Sequence, residues 1–157
     1  MPPTAAELIR YALSTIAMSL IAQDILIEAK PDAIFKALTL QEGLSSWWTS
    51  DTTTQPIVGS VAEFGFYQRS IVTRFRIEEL EQARRIRWHC LAGPQEYLGS
   101  EVVFELEATA SGTILHFAHR QLKGTDDFMR HADQSWHRVL ASLKSYVETG
   151  QGRPISM

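Results

Sequence analysis

The chain has 157 residues, of which 45% are hydrophobic and 21% charged, and its net charge is −3 at neutral pH. These values are typical of one globular domain, and the acidic balance disfavours a nucleic-acid partner, which a basic surface would bind. The single cysteine, Cys90, excludes an internal disulfide and fits a reducing compartment, so we expect a cytoplasmic protein. No apolar run reaches the roughly 20 residues of a membrane span.

Residues 1–20 are predicted to be an N-terminal extension or an extra helix, and residues 21–157 the domain itself. Leu8, Ala12 and Ile16 would share one face of such a helix. Two alternatives remain for this segment. It could be a secretory signal with its apolar core at residues 11–22, or translation could start at Met18.

The first part of the domain alternates between strand and helix patterns. Residues 23–29 predict a strand, and Pro31 suits the first turn of a helix that places Ile34, Phe35 and Leu38 on one face. Gly43 interrupts the pattern before a second short helix that ends at the two tryptophans. Residues 49–60 are rich in Thr, Ser, Pro and Gly and predict a loop.

Five further strand patterns follow, at residues 61–67, 71–79, 85–91, 100–107 and 113–119. Each alternates apolar and polar residues, and Ser111 with Gly112 predicts a tight hairpin between the last two. Arginines on the polar side of the middle strands face glutamates of the next strand. These opposite charges favour one register, because a slip of one residue would place them in the core.

The closing element is predicted as a long amphipathic helix of about six turns. Thr125 is a capping residue, two aspartates follow it at the positive end of the helix dipole, and Gly150 can end the helix. Trp136, Leu140 and Leu143 recur along one face at helical spacing. This helix is large enough to cover the apolar face of the sheet.

The sequence therefore predicts an α+β helix-grip fold. A curved antiparallel sheet of about six strands would surround the long C-terminal helix, with two short helices after the first strand.

Four segments carry a resemblance to a known superfamily. They are IEAKPDAIFKAL, the pair Trp47–Trp48, GTILHFAHRQL and SWHRVLASLKSYVETGQGRP. Together they resemble the START-like (SRPBCC) superfamily, and within it the branch of homologues of the activator of the heat-shock-protein ATPase. The resemblance covers roughly residues 23 to 154. Where this branch is usually rich in glycine, the second strand region here has only Gly59 and Gly65, a departure that bears on cavity size.

The resemblance implies an apolar cavity between the sheet and the C-terminal helix, and a small hydrophobic molecule, lipid-like or aromatic, as the partner. A plain apolar core is the alternative reading of the same residues. The expected ligand-binding residues are Trp48, Phe64, Phe66, Phe75, Trp88, Phe104, Phe117, His119, Trp136 and Leu140.

His119 is the sharpest polar candidate, because alternation places it on the same face as Leu115 and Phe117. It could anchor a ligand or act as an acid or base, although a buried histidine bonded to its neighbours is the commoner case. A polyketide-cyclase-like enzyme would use His119 with Tyr67 or Glu63. A cochaperone-like interaction module is the third hypothesis, and it would need an exposed apolar patch.

We expect neither a metal nor a cofactor. His116 and His119 are three residues apart on a strand and so point to opposite faces, and no phosphate-binding loop or catalytic triad pattern is evident. A homodimer is a further expectation, with the apolar residues of the N-terminal segment packed between the two copies. These residues are Leu8, Ile9, Leu13, Ile16 and Leu20.

Overall fold

A computed structural model describes residues 2–9 and 20–155. From residue 20 to residue 155 the helices are α1 (Pro31–Thr39), α2 (Gln41–Trp47) and α3 (Asp126–Thr149), with a 3-10 turn at Gln95–Tyr97. The strands are β1 (Ile21–Ile27), β2 (Asp51–Thr53), β3 (Val61–Phe66), β4 (Ile71–Glu81), β5 (Arg85–Ala92), β6 (Glu101–Thr109) and β7 (Gly112–Arg120). They form one curved antiparallel sheet in the order β1-β7-β6-β5-β4-β3-β2. The helix-grip prediction is confirmed.

The sheet has seven strands where about six were predicted. The additional strand, β2, lies in the segment predicted as a loop, and its three residues pair with Glu63, Phe64 and Gly65 of β3. Threonine favours extended backbone, and the Thr49 hydroxyl fixes this edge by donating to the Gly65 carbonyl at 2.6 Å. The composition of the segment, rich in turn residues, concealed a strand of only three residues.

At two glycines another backbone segment lies so close that a side chain would not fit. Gly43 lies inside α2 rather than interrupting it, and a Cβ there would come within 2.7 Å of the Ala37 backbone, so the glycine lets α2 pack onto α1. In the β6–β7 hairpin the turn is Ala110–Ser111, because Gly112 already pairs with Thr109. Gly112 has φ 151°, and a Cβ there would meet the Ile27 carbonyl oxygen at 2.3 Å.

Helix α3 begins and ends as its sequence predicts. The Thr125 hydroxyl accepts a hydrogen bond from the Phe128 amide, and Gly150 ends the helix in the left-handed conformation with φ 86°. Its buried side chains, among them Trp136, Leu140 and Leu143, pack against the inner face of the sheet. The helix therefore closes the core that the apolar face of the sheet begins.

The outer face of the sheet carries the predicted cross-strand charges. Arg85 lies opposite Glu105 and contacts it at 2.5 Å, and Arg87 contacts Glu101 at 2.7 Å. His116 points outward, as predicted, and lies between Asp24 and Glu107. Both carboxylates raise the pKa of His116, with Glu107 contributing most. These charges fix which face of each strand meets water.

The chain is helical at residues 5–9. Thr4 and Glu7 form a reciprocal cap there, because each accepts a hydrogen bond from the backbone amide of the other. Ala12 and Ile16 of the predicted helix face, Leu13 of the predicted dimer contact and the alternative start at Met18 lie outside the described residues, as does most of the apolar stretch considered as a signal. Within the described ranges, no helix combines the length and apolar character that crossing a membrane would require.

Candidate ligand-binding site

The middle of the sheet–helix interface is filled by aromatic rings. The Trp48 ring lies 4.4 Å from Phe64, 6.1 Å from Trp88 and 5.4 Å from Trp136, measured between ring centroids. The cluster continues through Phe75, Phe104 and Phe117, and each ring contacts at least one other. Such spacings are those of directly packed aromatic pairs. Phe64, Phe75, Trp88, Phe104, Phe117 and Leu140 therefore pack as core.

His119 lies beside this cluster and is fully buried. Its Nδ1 atom accepts a hydrogen bond from the Trp136 indole nitrogen at 3.2 Å, and its Nε2 atom lies 2.8 Å from the Ser100 hydroxyl. The Ser100 hydroxyl donates in turn to the Tyr97 carbonyl at 2.5 Å. These partners fix the tautomer of the neutral ring. Because Nδ1 is an acceptor, Nε2 carries the proton and donates a hydrogen bond to the Ser100 hydroxyl oxygen.

The surroundings of His119 keep it neutral. Burial lowers the pKa of His119 to about 3, because removal from water disfavours the charged imidazolium. The Tyr97 ring packs edge-on against the imidazole at 4.8 Å between centroids. Both ring nitrogens are engaged, so this histidine joins β7, α3 and the loop before β6 into one hydrogen-bonded unit.

A cavity of about 140 Å³ lies at one end of the interface, next to the aromatic cluster. Its walls come from β3, β4, the loop after β5, helix α3 and the C-terminal tail. The lining residues are Trp48, Phe66, Ile71, Thr73, Pro94, Tyr97, Ser135, Trp136, Val139 and Ile155. Three of the ten residues predicted to bind a ligand, Trp48, Phe66 and Trp136, line it.

One wall of the cavity carries an unpaired hydroxyl. Thr73 is 3% exposed, and in the described part of the chain it has the only inaccessible hydroxyl oxygen without a hydrogen-bond partner. The other buried hydroxyls with assigned bonds reach a carbonyl, as Thr113 does at Ala29, 2.7 Å away. An unpaired buried hydroxyl costs about 1–3 kcal/mol. Thr73 therefore has bonding capacity that the protein itself leaves unused.

Tyr97 supplies a second polar group to the same wall. Burial, with smaller contributions from Cys90 and Glu96, raises the pKa of Tyr97 to about 12. The phenol is therefore protonated and neutral at physiological pH, and it can donate a hydrogen bond. Thr73, Tyr97 and Ser135 are the lining residues that carry a hydroxyl group, and the rest of the lining is aromatic or aliphatic.

The C-terminal tail closes one side of the cavity. The Ile155 amide donates to the Trp48 carbonyl at 2.7 Å, and the Arg153 amide donates to the Ser142 hydroxyl at 2.6 Å. Gly152 packs so closely on α2 that a Cβ there would lie 2.3 Å from the Ser46 carbonyl oxygen. The tail thus places Ile155 against the cavity as part of the fold.

The turn between β3 and β4 is strained. Tyr67, Gln68 and Arg69 all have positive φ, at 51°, 57° and 66°, a conformation that side chains disfavour. Arg69 holds the turn by contacting Asp51 at 2.7 Å and Glu63 at 2.8 Å. Glu63 therefore lies on the outer face in ion pairs, and Tyr67 is exposed. Neither meets His119 in the aromatic interior.

Several lining residues were absent from the sequence-based list. Thr73 lies between Ile71 and Phe75 on the inward face of β4. A threonine on this apolar face was the signal in the sequence that could have indicated a polar group in the cavity wall. Val139 belongs to the predicted apolar face of α3. No pattern in the sequence indicated that the tail folds back to bring Ile155 to the cavity.

A larger depression, of about 460 Å³, lies on the outer face of the sheet. Its lining charges already neutralise one another, as in the pairs Arg84–Glu81, Arg85–Glu105 and His116–Glu107. Cys90 points inward, and burial raises the pKa of its thiol to about 11, so it remains protonated. Across residues 2–9 and 20–155, no group of three or more histidine, cysteine or acidic side chains could hold a metal ion.

Comparisons with solved structures show the same architecture elsewhere. The Aha1 dimer from Colwellia psychrerythraea is 34% identical, with a TM-score of 0.75 over 85% of this chain and 98% of that one. Protein SSP2350 from Staphylococcus saprophyticus is 16% identical, with a TM-score of 0.73 over 87% and 97% of the two chains. DynU16, from the dynemicin biosynthetic locus, is 18% identical, with a TM-score of 0.72 over 85% of this chain and 49% of that one.

A search of curated proteins finds no match. The family model described as Activator of Hsp90 ATPase homolog 1-like protein matches residues 28–148, which is most of the chain. The 34% identity to the Colwellia psychrerythraea protein over nearly its whole length agrees with this match. The chain therefore belongs to the family of Activator of Hsp90 ATPase homolog 1-like proteins.

Proposed function

We propose that this protein binds a small apolar molecule at the cavity between β4 and α3. The observation that carries the proposal is the unpaired Thr73 hydroxyl, buried in the wall of a mostly apolar cavity. Rotation of the Thr73 side chain would turn this hydroxyl toward the cavity, where a ligand with one hydrogen-bonding group would satisfy it. The apolar part of the ligand would pack on Trp48, Trp136 and Val139. Small-molecule sites commonly combine apolar walls with a few such polar groups.

The cavity volume limits what the ligand can place inside. A dry cavity of roughly 150 Å³ accommodates a benzene molecule. The 140 Å³ cavity is of the same size, so we expect it to hold one aromatic ring or a short branched chain. A larger ligand would extend through the mouth next to the C-terminal tail.

The hydrogen bonds of His119 argue for binding over acid–base catalysis by that residue. A general base needs a free ring nitrogen within reach of the substrate. Here one nitrogen accepts from Trp136 and the other donates to Ser100. We therefore assign His119 a positioning role, in which it orients the Trp136 ring that forms one wall of the cavity.

We also propose that the chain forms a homodimer. The support is the 34% identical relative from Colwellia psychrerythraea, whose solution structure is that of a dimer. Analytical ultracentrifugation of the full chain tests this directly. A sedimentation coefficient that rises from the monomer to the dimer value with concentration supports the proposal, and a monomer at all concentrations contradicts it.

Native mass spectrometry of protein purified from cells tests the binding function. We expect a small-molecule adduct that is lost on denaturation. Val139→Phe should abolish the adduct, because the larger side chain fills the cavity from α3. Val147→Phe is the matched control, since Val147 is a half-buried residue of the same helix that does not line the cavity.

Two results would overturn the proposal. One is an adduct that persists equally in both variants, which would place the ligand elsewhere. The other is wild-type protein that carries no adduct and takes up no added indole, an aromatic ring with one hydrogen-bonding group that matches the cavity in size.

A further inference from the structure

The mouth of the cavity is cationic. A second depression, of about 290 Å³, shares Val139 and Ile155 with the cavity and is otherwise lined by Tyr67, Arg138, Arg153 and Pro154. Neither lining set contains an aspartate or a glutamate. Two arginines therefore lie where an apolar ligand would leave the protein interior.

These arginines differ from the others in their pairing. Eight of the ten arginines in the described ranges contact a carboxylate within 4.0 Å, whereas Arg138 and Arg153 contact none there. The eight paired residues are Arg69, Arg74, Arg76, Arg84, Arg85, Arg87, Arg120 and Arg130. Within residues 2–9 and 20–155, a protein with net charge −3 thus places two guanidinium groups without a carboxylate partner at one depression.

From this arrangement we propose that the ligand is an amphipathic anion, with an apolar body in the cavity and a terminal carboxylate between Arg138 and Arg153. This inference rests on the proposed binding function and adds the chemical class of the ligand. A guanidinium group presents paired donors that match a carboxylate, and the charge strengthens each hydrogen bond. The cavity lining is mostly apolar and contains no lysine or arginine, so burying a charge there would be costly and the charged end belongs at the mouth.

The backbone holds both arginines beside the cavity. Arg138 precedes Val139 on α3, and Val139 lines both depressions. Arg153 lies in the tail, whose amide bond to Ser142 and whose Ile155 bond to Trp48 fix its path. Because α3 and the tail are joined here, both arginines line the same depression.

The experiment compares 3-phenylpropionate with its neutral amide, 3-phenylpropanamide. The two share one apolar ring and differ in charge. Binding is measured by NMR on the Ile71, Val139 and Ile155 methyl groups, which line the cavity. We expect the acid to bind at least about tenfold more tightly than the amide at low salt, and the preference to shrink as NaCl is added.

Arg138→Gln and Arg153→Gln should each reduce the preference for the acid severalfold, and the double variant should remove it. Both side chains are exposed, so the fold should tolerate the changes. Arg130→Gln is the control, because Arg130 lies on the same helix but pairs with Asp127. It should leave the preference unchanged.

The possible outcomes separate the two proposals. Equal binding of acid and amide, both shifting the cavity methyl signals, would overturn the anionic class and leave the binding function standing. An acid preference that survives the double variant would also overturn it. If neither compound shifts these signals, both the anion and the cavity as a ligand site are contradicted.

Discussion

His119 and Thr73 are both buried polar residues on the inner face of the sheet, yet their surroundings differ. At His119 each ring nitrogen has a partner, and the chain of hydrogen bonds ends at a backbone carbonyl. At Thr73 the hydroxyl has no partner within the described structure, and the adjoining space is a cavity. Both residues are almost completely buried and lie near Trp136, so the degree of burial does not distinguish them.

The difference shows how to distinguish a structural polar group from a binding group. A satisfied network fixes a unique core arrangement, and it leaves no capacity for a ligand. An unsatisfied buried group costs stability, and its persistence beside a cavity is explained if a bound molecule supplies the partner. The aromatic cluster next to His119 is accordingly packed core, and the Thr73 end is the proposed site.

The largest expected effect lies in the packed cluster. Trp88→Ala should destabilise the protein by about 3–5 kcal/mol, because Trp88 is fully buried among aromatic rings and its loss leaves a void. Ile71→Ala, at the partly exposed wall of the cavity, should cost less than about 1.5 kcal/mol. Urea unfolding measures both. Similar losses of stability in the two variants would contradict the difference between a densely packed cluster around Trp88 and a cavity at Thr73.

The next effect is a pH dependence that His119 confers. Its pKa is about 3 in the folded protein and near 6.5 when unfolded, so the unfolded chain binds more protons between these values. The contribution of His119 is complete above pH 6.5 and is lost as the pH falls toward 3. The expected slope is at most about 1.4 kcal/mol per pH unit.

Urea unfolding at several pH values measures this slope, which should be smaller in His119→Asn than in the wild type and unchanged in His137→Asn, where the histidine is exposed. His116 acts in the opposite direction, because its pKa is raised in the folded state and its contribution is lost as pH rises. That contribution is complete below about pH 6.5, so His116→Asn should leave the slope below this pH unchanged and remove a loss of stability above it. An unchanged slope in His119→Asn would show that another group carries it.

Replacing each of two buried threonines by valine should change the stability by a smaller amount, and in opposite directions. Thr73→Val should stabilise the protein by about 1 kcal/mol, because it removes an unpaired buried hydroxyl without changing the shape of the side chain. Thr113→Val should destabilise it by a similar amount, since that hydroxyl donates to the Ala29 carbonyl. Thermal and urea unfolding compare the two.

Thr73→Val should also weaken binding of a hydrogen-bonding ligand several-fold while Thr113→Val leaves it unchanged. A loss of stability in Thr73→Val would mean that the hydroxyl already has a partner.

Sequence periodicity predicted the layout of the fold because each strand and helix carries one apolar face. Phe64, Trp88 and Phe104 alternate on their strands, and Trp136, Leu140 and Leu143 recur on α3, so the core followed from local patterns. Strand β2 escaped prediction because three residues are too few to show a period. Its pairing with β3 is a tertiary effect.

The cavity was less accessible to prediction than the core. The aromatic residues were predicted as one set, but which of them pack on each other and which border a void depends on side-chain geometry that periodicity does not encode. The direction of His119 was predictable by alternation. The two partners that occupy its nitrogens were not, because Ser100 and Trp136 come from different elements. Ile155 and Arg153 reach the cavity only through the path of the tail.

The most direct test of the central claim is the crystal structure of the protein pressurised with xenon, which enters apolar cavities of this size. The account predicts xenon density among Trp48, Ile71 and Val139 in the wild type, and none there in Val139→Phe. It also predicts none within the aromatic cluster around Trp88. Xenon within that cluster, or no xenon at the Thr73 end, would contradict it.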